Sequence, residues 1–297
     1  MKTQTILITG ATSGIGRTTA LHLAARGHTV FAAGRRVHAL ESLQREEPRI
    51  RTVELDVTKQ ESIDAAHEQI LAETGGHGLD VLVNNAGFGH LTPIALVTDA
   101  ELRAHYETNV FGLMAMTWKF LPEMQKRSSG RIINTSSVGG RVTMPFFGAY
   151  NSTKHAVESL SDAMRYELTP FGIHTVLIEP GLIKTEFVDH SMELLDKHKV
   201  EHNPYQAIYE RSDEVRRQMD AMSVGPEVIA RAIRRAVESR RPRARYVAPF
   251  RTYFWLGFMK FLPTRWVDAA LRMSMGLSRK GLRLKKNQAT AAARAST

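Results

Sequence analysis

The sequence predicts an α/β protein built on a single doubly wound parallel sheet of about seven strands, and three observations predict it. Short apolar or β-branched runs alternate with longer stretches of helical spacing. The strand runs are near-continuously apolar, as expected of strands covered on both faces. The chain has 297 residues, a length that such sheets often carry as one domain.

In chain order, strands are expected at Thr5 to Thr9, Thr29 to Ala33, Arg51 to Leu55, Val81 to Asn84, Arg131 to Thr135, His174 to Glu179 and Arg245 to Ala248. Helical spacing fills Arg17 to Arg26, Gln60 to Thr74, Asp99 to Gln125, Tyr150 to Phe171 and Pro226 to Arg240. Two segments break the rhythm. Leu182 to Gly225 is polar with scattered Met and aromatic residues and reads as a mobile flap, while the chain from Phe250 is aromatic first and basic afterwards. The expected organisation is a catalytic and nucleotide-binding domain over 1–249, with the flap at about 182–225. An amphipathic basic extension follows over 250–286, bent into two helices by Pro263. The tail over 287–297 is small and polar with no periodic face to bury, and is expected to be disordered.

Composition narrows the function classes. Hydrophobic residues at 43% and charged residues at 24% are those of an ordinary globular protein, which excludes disorder and fibrous classes. With no cysteine, a disulfide framework, thiolate metal sites and a cysteine nucleophile are excluded, and a reducing, cytoplasmic setting is consistent. Met1 to Gly16 has only Ile6-Leu7-Ile8 where a signal peptide needs a longer apolar segment, and no run of 18 uncharged apolar residues occurs. Charge is uneven: residues 1–225 carry 23 Lys and Arg against 27 Asp and Glu, and residues 226–297 carry 17 against 3. A basic last quarter points to an anionic contact, and an ordinary solvated basic tail is the competing account.

The first strand runs into Gly10-Ala11-Thr12-Ser13-Gly14-Ile15-Gly16 just before a helical pattern. Glycines at a strand-to-helix turn let backbone approach a pyrophosphate, which the amides and positive dipole end of the helix favour. A Walker A loop is rejected because five residues, not four, separate Gly10 from Gly16 and the lysine is missing. The second strand ends at Gly34-Arg35-Arg36, about 20 residues on, where a dinucleotide fold reads the adenosine ribose. A carboxylate there would repel a 2′-phosphate. Gly34 instead leaves space and Arg35 offers a charged fork, so NADP(H) is the expected cofactor.

Further on stand Asn84 to Gly87, Asn109, Ser136-Ser137, Tyr150-x-x-x-Lys154 and Pro180-Gly181. With Thr9 to Gly16, their order and spacing over residues 3 to about 185 resemble the short-chain dehydrogenase/reductase family. The branch containing 17β-hydroxysteroid and retinol dehydrogenases is the most similar. The resemblance implies a Rossmann-type fold and an NADP-dependent oxidoreductase. It further implies that Asp56 and Val57 touch the adenine side, that Asn84, Ala86 and Gly87 line the cofactor, and that Pro180, Gly181 and Thr185 shape its nicotinamide end. The cofactor-binding set is thus Gly10, Thr12, Ser13, Gly14, Ile15, Gly16, Arg35, Asp56, Val57, Asn84, Ala86, Gly87, Tyr150, Lys154, Pro180, Gly181 and Thr185.

The residue types suit carbonyl reduction, in which the cofactor supplies a hydride and the protein a proton. Tyr150 is the proton donor candidate, and Lys154, one helical turn later, can stabilise its phenolate. A phenol near pKa 10 needs such help to work as a base at neutral pH. By resemblance Lys154 also holds the nicotinamide ribose, Ser137 orients the substrate oxygen, and Asn109 anchors a water in a proton relay. Ser136 competes with Ser137, but a serine thirteen residues before the tyrosine favours Ser137.

Phe88, Met144, Pro145, Phe146, Phe147, Phe187 and Met192 are expected near the nicotinamide, and few polar groups accompany them. An apolar pocket follows, and the resemblance implies a steroid, retinoid or lipid-like alcohol or carbonyl. The competing account has these aromatics merely filling core. Two other functions compete: a 3-oxoacyl reductase drawn to an acidic carrier or CoA, and an NADP-binding sensor without turnover. His198-x-x-Glu201-His202 fits a zinc-peptidase pattern but lacks a third ligand, and no metal is expected. Asn134-Thr135-Ser136 and Asn151-Ser152-Thr153 match glycosylation acceptors by coincidence, since both fall within the expected active centre. In the extension, Tyr253, Phe254, Trp255, Phe258, Phe261 and Trp266 precede Arg279, Lys280, Arg283, Lys285 and Lys286. Rings followed by cations suit peripheral contact with an anionic membrane, against the alternatives of capping the cleft or filling a subunit interface. A homo-oligomer is expected and nucleic acid is not.

Overall fold

The computed structural model describes residues 3–186, 204–278 and 280–282. Seven strands, β1 (Thr5–Thr9), β2 (Thr29–Gly34), β3 (Ile50–Glu54), β4 (Val81–Asn84), β5 (Gly130–Thr135), β6 (Ile173–Pro180) and β7 (Arg245–Ala248), form one sheet in the order β3-β2-β1-β4-β5-β6-β7. Every neighbouring pair is parallel. Ile6, Leu7 and Ile8 are all fully buried, which is why the strands read as continuous apolar runs.

The helices are α1 (Gly14–Ala24), α2 (Val37–Glu46), α3 (Gln60–Glu73), α4 (Asp99–Tyr106), α5 (Leu113–Lys126) and α6 (Gly148–Leu168), then α7 (Gln206–Tyr209), α8 (Ser212–Met222), α9 (Glu227–Glu238), α10 (Phe250–Phe261) and α11 (Thr264–Ser274). Two apolar clusters cover the sheet. Ile6 and Ile8 face Ala20 and Leu23 of α1, Leu40 of α2 and Ile233 of α9. Leu7 faces the other way, toward Ile70 of α3, Phe120 of α5 and Leu168 of α6. Adjacent residues of one strand thus serve opposite layers. The C-terminal end of α9 is held by Arg131 of β5, whose guanidinium donates to the carbonyls of Ala236, Val237 and Ser239.

Two expectations need correction. The periodic window Asp99 to Gln125 is not one regular helix: α4 and α5 are joined by a π-helical turn, Glu107–Gly112. A single extra residue in a turn leaves the apolar spacing on either side intact, so periodicity does not register it. Helix α2 has no counterpart in the expected helices. Its buried residues are only Leu40 and Leu43, and its N-cap Arg36 makes no side-chain capping bond, so both the stripe and the start signal are weak. By contrast α4 begins with a complete capping box: Glu101 N–H donates to Thr98 Oγ1 at 3.2 Å and Thr98 N–H to the Glu101 carboxylate at 2.9 Å.

The segment read as a flap is pinned at its base by a parallel bridge between Ile183 and Val224, with Lys184 N–H donating to Val224 O at 2.9 Å. Its described part contains α7 and α8; Phe187, Met192 and the His198–His202 motif lie outside the described residues. So do Arg279, Arg283, Lys285, Lys286 and the tail. Pro263 separates α10 from α11, as its position in the sequence predicts. Among the described residues no helix is long and apolar enough to cross a membrane, and no cluster of three metal-ligating side chains occurs.

Candidate active site

Strand order reverses between β1, which runs outward to β2 and β3, and β4, which runs outward the other way. A crevice opens at the carboxyl ends of strands flanking such a switch point. The glycine turn after β1 lies there. Gly10 (φ +66°) and Gly14 (φ +50°) take left-handed backbone, and a Cβ on Gly10 would lie 2.9 Å from the Ala86 Cα in the loop after β4. Thr9 ties the two loops together, its Oγ1 accepting from the backbone N–H of Asn85 at 3.0 Å and of Ala86 at 2.9 Å. Beyond the turn, α1 starts at the extended N-cap Ser13 with no side-chain capping bond and no acidic residue in its first turn. The leading amides, on Gly14, Ile15 and Gly16, therefore suit the pyrophosphate of a dinucleotide. Thr185, after β6, packs on Gly14: a Cβ there would lie 3.1 Å from its methyl.

At the end of β2, Gly34 abuts Thr12, whose methyl would lie 2.7 Å from an added Cβ. Arg35 is exposed. Arg36, passed over in the sequence, is anchored at the same end: its guanidinium donates to Thr12 Oγ1 at 3.2 Å and pairs with Glu186 at 3.2 Å. The second arginine of an Arg-Arg pair following a strand was the available signal. Asp56 turns toward its own loop, accepting from Thr58 N–H at 3.0 Å and its hydroxyl at 2.8 Å. Burial raises its pKa, but those bonds and the Arg35 charge prevail and hold it below the ordinary carboxylate value. Val57 is buried in the core beside it. The Asn84 amide points inward, to Thr117 Oγ1 at 3.1 Å and Asn134 Oδ1 at 3.0 Å; the side chain that reaches the glycine turn is Asn85, donating to Thr9 O at 3.0 Å. Gly87 lies beside Asn109 and Lys154: an added Cβ would sit 3.0 Å from Asn109 Oδ1 and 3.6 Å from Lys154 Nζ.

Helix α6 carries Tyr150 and Lys154 one turn apart, and the Val138–Gly140 turn after β5 is pressed onto it. A Cβ on Gly139 would lie 2.5 Å from Asn151 Oδ1, and one on Gly140 would lie 2.9 Å from Lys154 O. That fit brings the Ser137 hydroxyl into hydrogen bonding with the Tyr150 phenol. Ser136 is buried against Gly140. Lys154 is buried, donates to Thr135 O at 2.8 Å, and has its Nζ 5.7 Å from the Tyr150 ring centroid. Asn109, in the π-helical turn, clamps Phe88: it donates to Phe88 O at 2.8 Å, accepts from Phe88 N–H at 3.0 Å and reaches Thr153 Oγ1 at 3.1 Å. Burial, eased by the Ser137 hydrogen bond, pushes the Tyr150 phenol up to about 12. Burial also brings the Lys154 ammonium down to about 8, against the attraction of Glu158.

Behind Lys154 is a layer of charge that its motif did not reveal. Glu179, fully buried, meets Arg141 at 3.2 Å and Arg245 at 3.1 Å, and Arg245 also pairs with Glu158 at 3.2 Å and Asp162 at 2.6 Å. Burial raises Glu158 above its ordinary pKa; burial and then the Glu158 charge raise Glu179 to about 6. Their signal was indirect, an i, i+4 spacing from Lys154 to Glu158 and a carboxylate inside an apolar strand.

In front of Tyr150 the wall is apolar. The ring centroid of Phe147 is 6.4 Å from that of Tyr150, and Phe146, at φ +68°, sits 6.1 Å from Tyr205 of the flap. Buried Leu91 and Tyr209 join them with Met219. Phe88 packs instead on two histidines, His90 at 4.9 Å and His105 at 4.7 Å between ring centroids. Met144 is half-buried, its carbonyl accepting from Phe147 N–H at 3.2 Å. Pro180 pairs with Ala248 across β6 and β7, and a Cβ on Gly181 would lie 2.8 Å from Thr252 Oγ1 of α10. Tyr205, Tyr209 and Met219 were missed because a polar segment with isolated aromatics carries no periodic sign of which face is inward.

Comparison with known proteins agrees with this geometry. Residues 4–194 match the family model described as short chain dehydrogenase. Over 272 residues, 88% of this chain and 94% of the relative, the sequence is 34% identical to the NADPH-dependent 3-dehydrocapnine reductase of Ornithobacterium rhinotracheale. It is also 34% identical over 284 residues to 17-beta-hydroxysteroid dehydrogenase type 6 of Mus musculus, covering 91% of this chain and 88% of that one. Among solved structures, a short-chain dehydrogenase from Streptomyces avermitilis superposes with a TM-score of 0.75 at 34% identity, covering 94% of this chain and 98% of that one.

Proposed function

The chain belongs to the short-chain dehydrogenase family, and on that premise we propose that it interconverts a carbonyl and a hydroxyl on a hydrophobic, steroid-, retinoid- or lipid-like substrate with NADP(H). The observation that carries the reading is the Ser137–Tyr150 hydroxyl pair beside the buried Lys154 ammonium. When bound, the reduced nicotinamide supplies a hydride to the carbonyl carbon. Tyr150 holds the proton that the oxygen then needs, and Ser137 orients that oxygen. A phenol pushed up to about 12 keeps its proton at neutral pH, yet a developing alkoxide is a still stronger base and takes it. Lys154, brought down to about 8, remains mostly charged at pH 7 and faces the phenolate left behind. These directions favour carbonyl reduction near neutrality. Oxidation, which needs the phenolate, should rise with pH.

NADP(H) is supported by the absence of a carboxylate at Gly34-Arg35-Arg36 and by the anchoring of Arg36 on Thr12. A relative described as NADPH-dependent supports it too. The apolar class is supported by the wall of Phe146, Phe147, Leu91, Tyr205 and Tyr209 and by a hydroxysteroid dehydrogenase among the relatives. The reading includes a cytoplasmic setting, consistent with the lack of cysteine, and a homo-oligomer.

Replacing Tyr150 by Phe removes one hydroxyl and little volume, so cofactor affinity should hold while the single-turnover rate falls roughly 10²- to 10⁴-fold. Undiminished turnover would overturn the mechanism. Arg35→Ala should weaken NADPH binding by roughly tenfold to a hundredfold, as for a charged hydrogen bond, and leave NADH affinity nearly unchanged. Equal losses for both cofactors in titration would assign Arg35 a structural role instead.

A further inference from the structure

Helix α10 is turned inside out. Along it, Thr252, Leu256 and Met259 are half-buried toward the protein, while Phe250, Tyr253, Phe254, Phe258 and Phe261 are exposed on the outer side. Phe250, Phe254, Phe258 and Phe261, at spacings of four, four and three, make one continuous stripe, and Tyr253 packs beside Phe250 and Phe254. The exposures are large: 65% for Phe254, 63% for Phe258 and 86% for Phe261. Trp266 and Met273 of α11 are exposed as well. The rings at the start of the stripe pack on one another, Phe250 and Phe254 edge to face at 5.2 Å, so they offer a shared apolar surface. A soluble monomer rarely leaves such a stripe in water.

The charge around the stripe decides what covers it. In the sequence, residues 250–286 carry nine Lys and Arg against one acidic residue, Asp268, and among the described residues Arg265, Arg272 and Lys280 are exposed on or just after α11. A second copy docking through a twofold axis would bring this cationic face onto itself, which like-charge repulsion opposes. An anionic lipid surface complements both properties, taking rings into the headgroup boundary and cations against the phosphates.

We propose that the outer face of α10 and α11 docks this protein on an anionic lipid surface. The inner side of the same helix places Thr252 against Gly181, at the end of β6, and the Arg251 guanidinium donates to the carbonyl of Met222 at the end of α8. Docking therefore sets Pro180-Gly181 at the end of β6, and the end of α8, close to the lipid boundary. An apolar substrate could then pass from bilayer to cleft with little exposure to water. The docking itself stands apart from the reaction, and its test can succeed or fail whatever the enzyme reduces.

The test is sedimentation of the full chain with vesicles of phosphatidylglycerol and phosphatidylcholine in equal parts, at low and high salt. Binding at low salt, its loss in high salt, and weak binding to pure phosphatidylcholine are expected. Combined Phe254→Ser, Phe258→Ser and Phe261→Ser should release the protein, while combined Arg265→Gln, Arg272→Gln and Lys280→Gln should weaken binding on the order of a hundredfold, about fivefold per cation. Turnover of a water-soluble carbonyl by both variants should match the parent, which also reports that they fold. A full chain that stays in the supernatant at low salt overturns the proposal. So does a concentration-dependent dimer that the three serine substitutions dissociate, since that result assigns the stripe to a second copy.

Discussion

Helices α6 and α10 break the same rule in opposite directions. In α6, charge goes inside: Lys154 and Glu158 are buried, with fully buried Glu179 behind them. In α10, rings go outside. Burying charge costs several kcal/mol per ion unless each group finds partners, and here each does, through Thr135 O, Arg141 and Arg245. Exposing rings instead forgoes about 25 cal/mol per Å² of apolar surface left in water. The two inversions differ in what they serve. The buried charges are held by contacts within the chain behind the candidate active site, whereas the exposed rings are the ones the docking proposal assigns to an external surface.

The comparison breaks most readily at Arg245, which pairs with Glu158, Asp162 and Glu179 together. Arg245→Ala should destabilise the fold by about 3 kcal/mol, the cost of leaving buried carboxylates short of a partner, as read from the urea midpoint at pH 7. A change below about 0.5 kcal/mol would mean that Arg141 suffices.

A finer probe is the pH dependence of Glu179. Its folded pKa of about 6 lies above the ordinary 4.5, so the fold prefers the protonated form. The stability this contributes is fully present below pH 4.5 and lost as pH rises through about 6, up to about 2 kcal/mol for a shift of that size. Glu179→Gln cannot lose it. Compared with the parent, the variant should therefore gain up to about 2 kcal/mol in relative stability between pH 4.5 and 7.5. A difference that stays flat over that range would show Glu179 to be unshifted.

The smallest effect is expected outside. Phe258→Ser, on the exposed stripe, should alter the urea midpoint by less than about 0.5 kcal/mol, as surface substitutions usually do. A loss above about 2 kcal/mol would mean that the ring is packed, and would erase the contrast with α6.

Much of the candidate active site was legible in the sequence, because Ser137, Tyr150 and Lys154 stand at spacings that a loop and one helical turn convert directly into proximity. The strands were legible as well, since burial on both faces leaves unbroken apolar runs such as Ile6 to Ile8. Less visible was whatever depends on elements far apart in the chain. Glu158, Glu179 and Arg245 meet only when α6, β6 and β7 come together, and none carries a local pattern. The aromatic content of 250–286 could be read, but which rings face outward could not, because both sides of α10 are largely apolar. Thr252, Leu256 and Met259 became the inner side only through their contact with the rest of the fold.

The π-helical turn at Glu107–Gly112 has a consequence for how this chain tolerates insertions and deletions. One residue more than an α-helical count rotates everything beyond it by about 100° relative to everything before. On one side of that offset His105 faces Phe88, and on the other Met116, Phe120 and Met124 face the sheet. Deleting a single residue here would restore an uninterrupted helix and bring the two halves into a common phase, in which only one of the two contact sets could be kept. An indel that exposed loops absorb without harm should therefore break one of these contact sets when it falls in these six positions, although most of them are unremarkable as individual side chains.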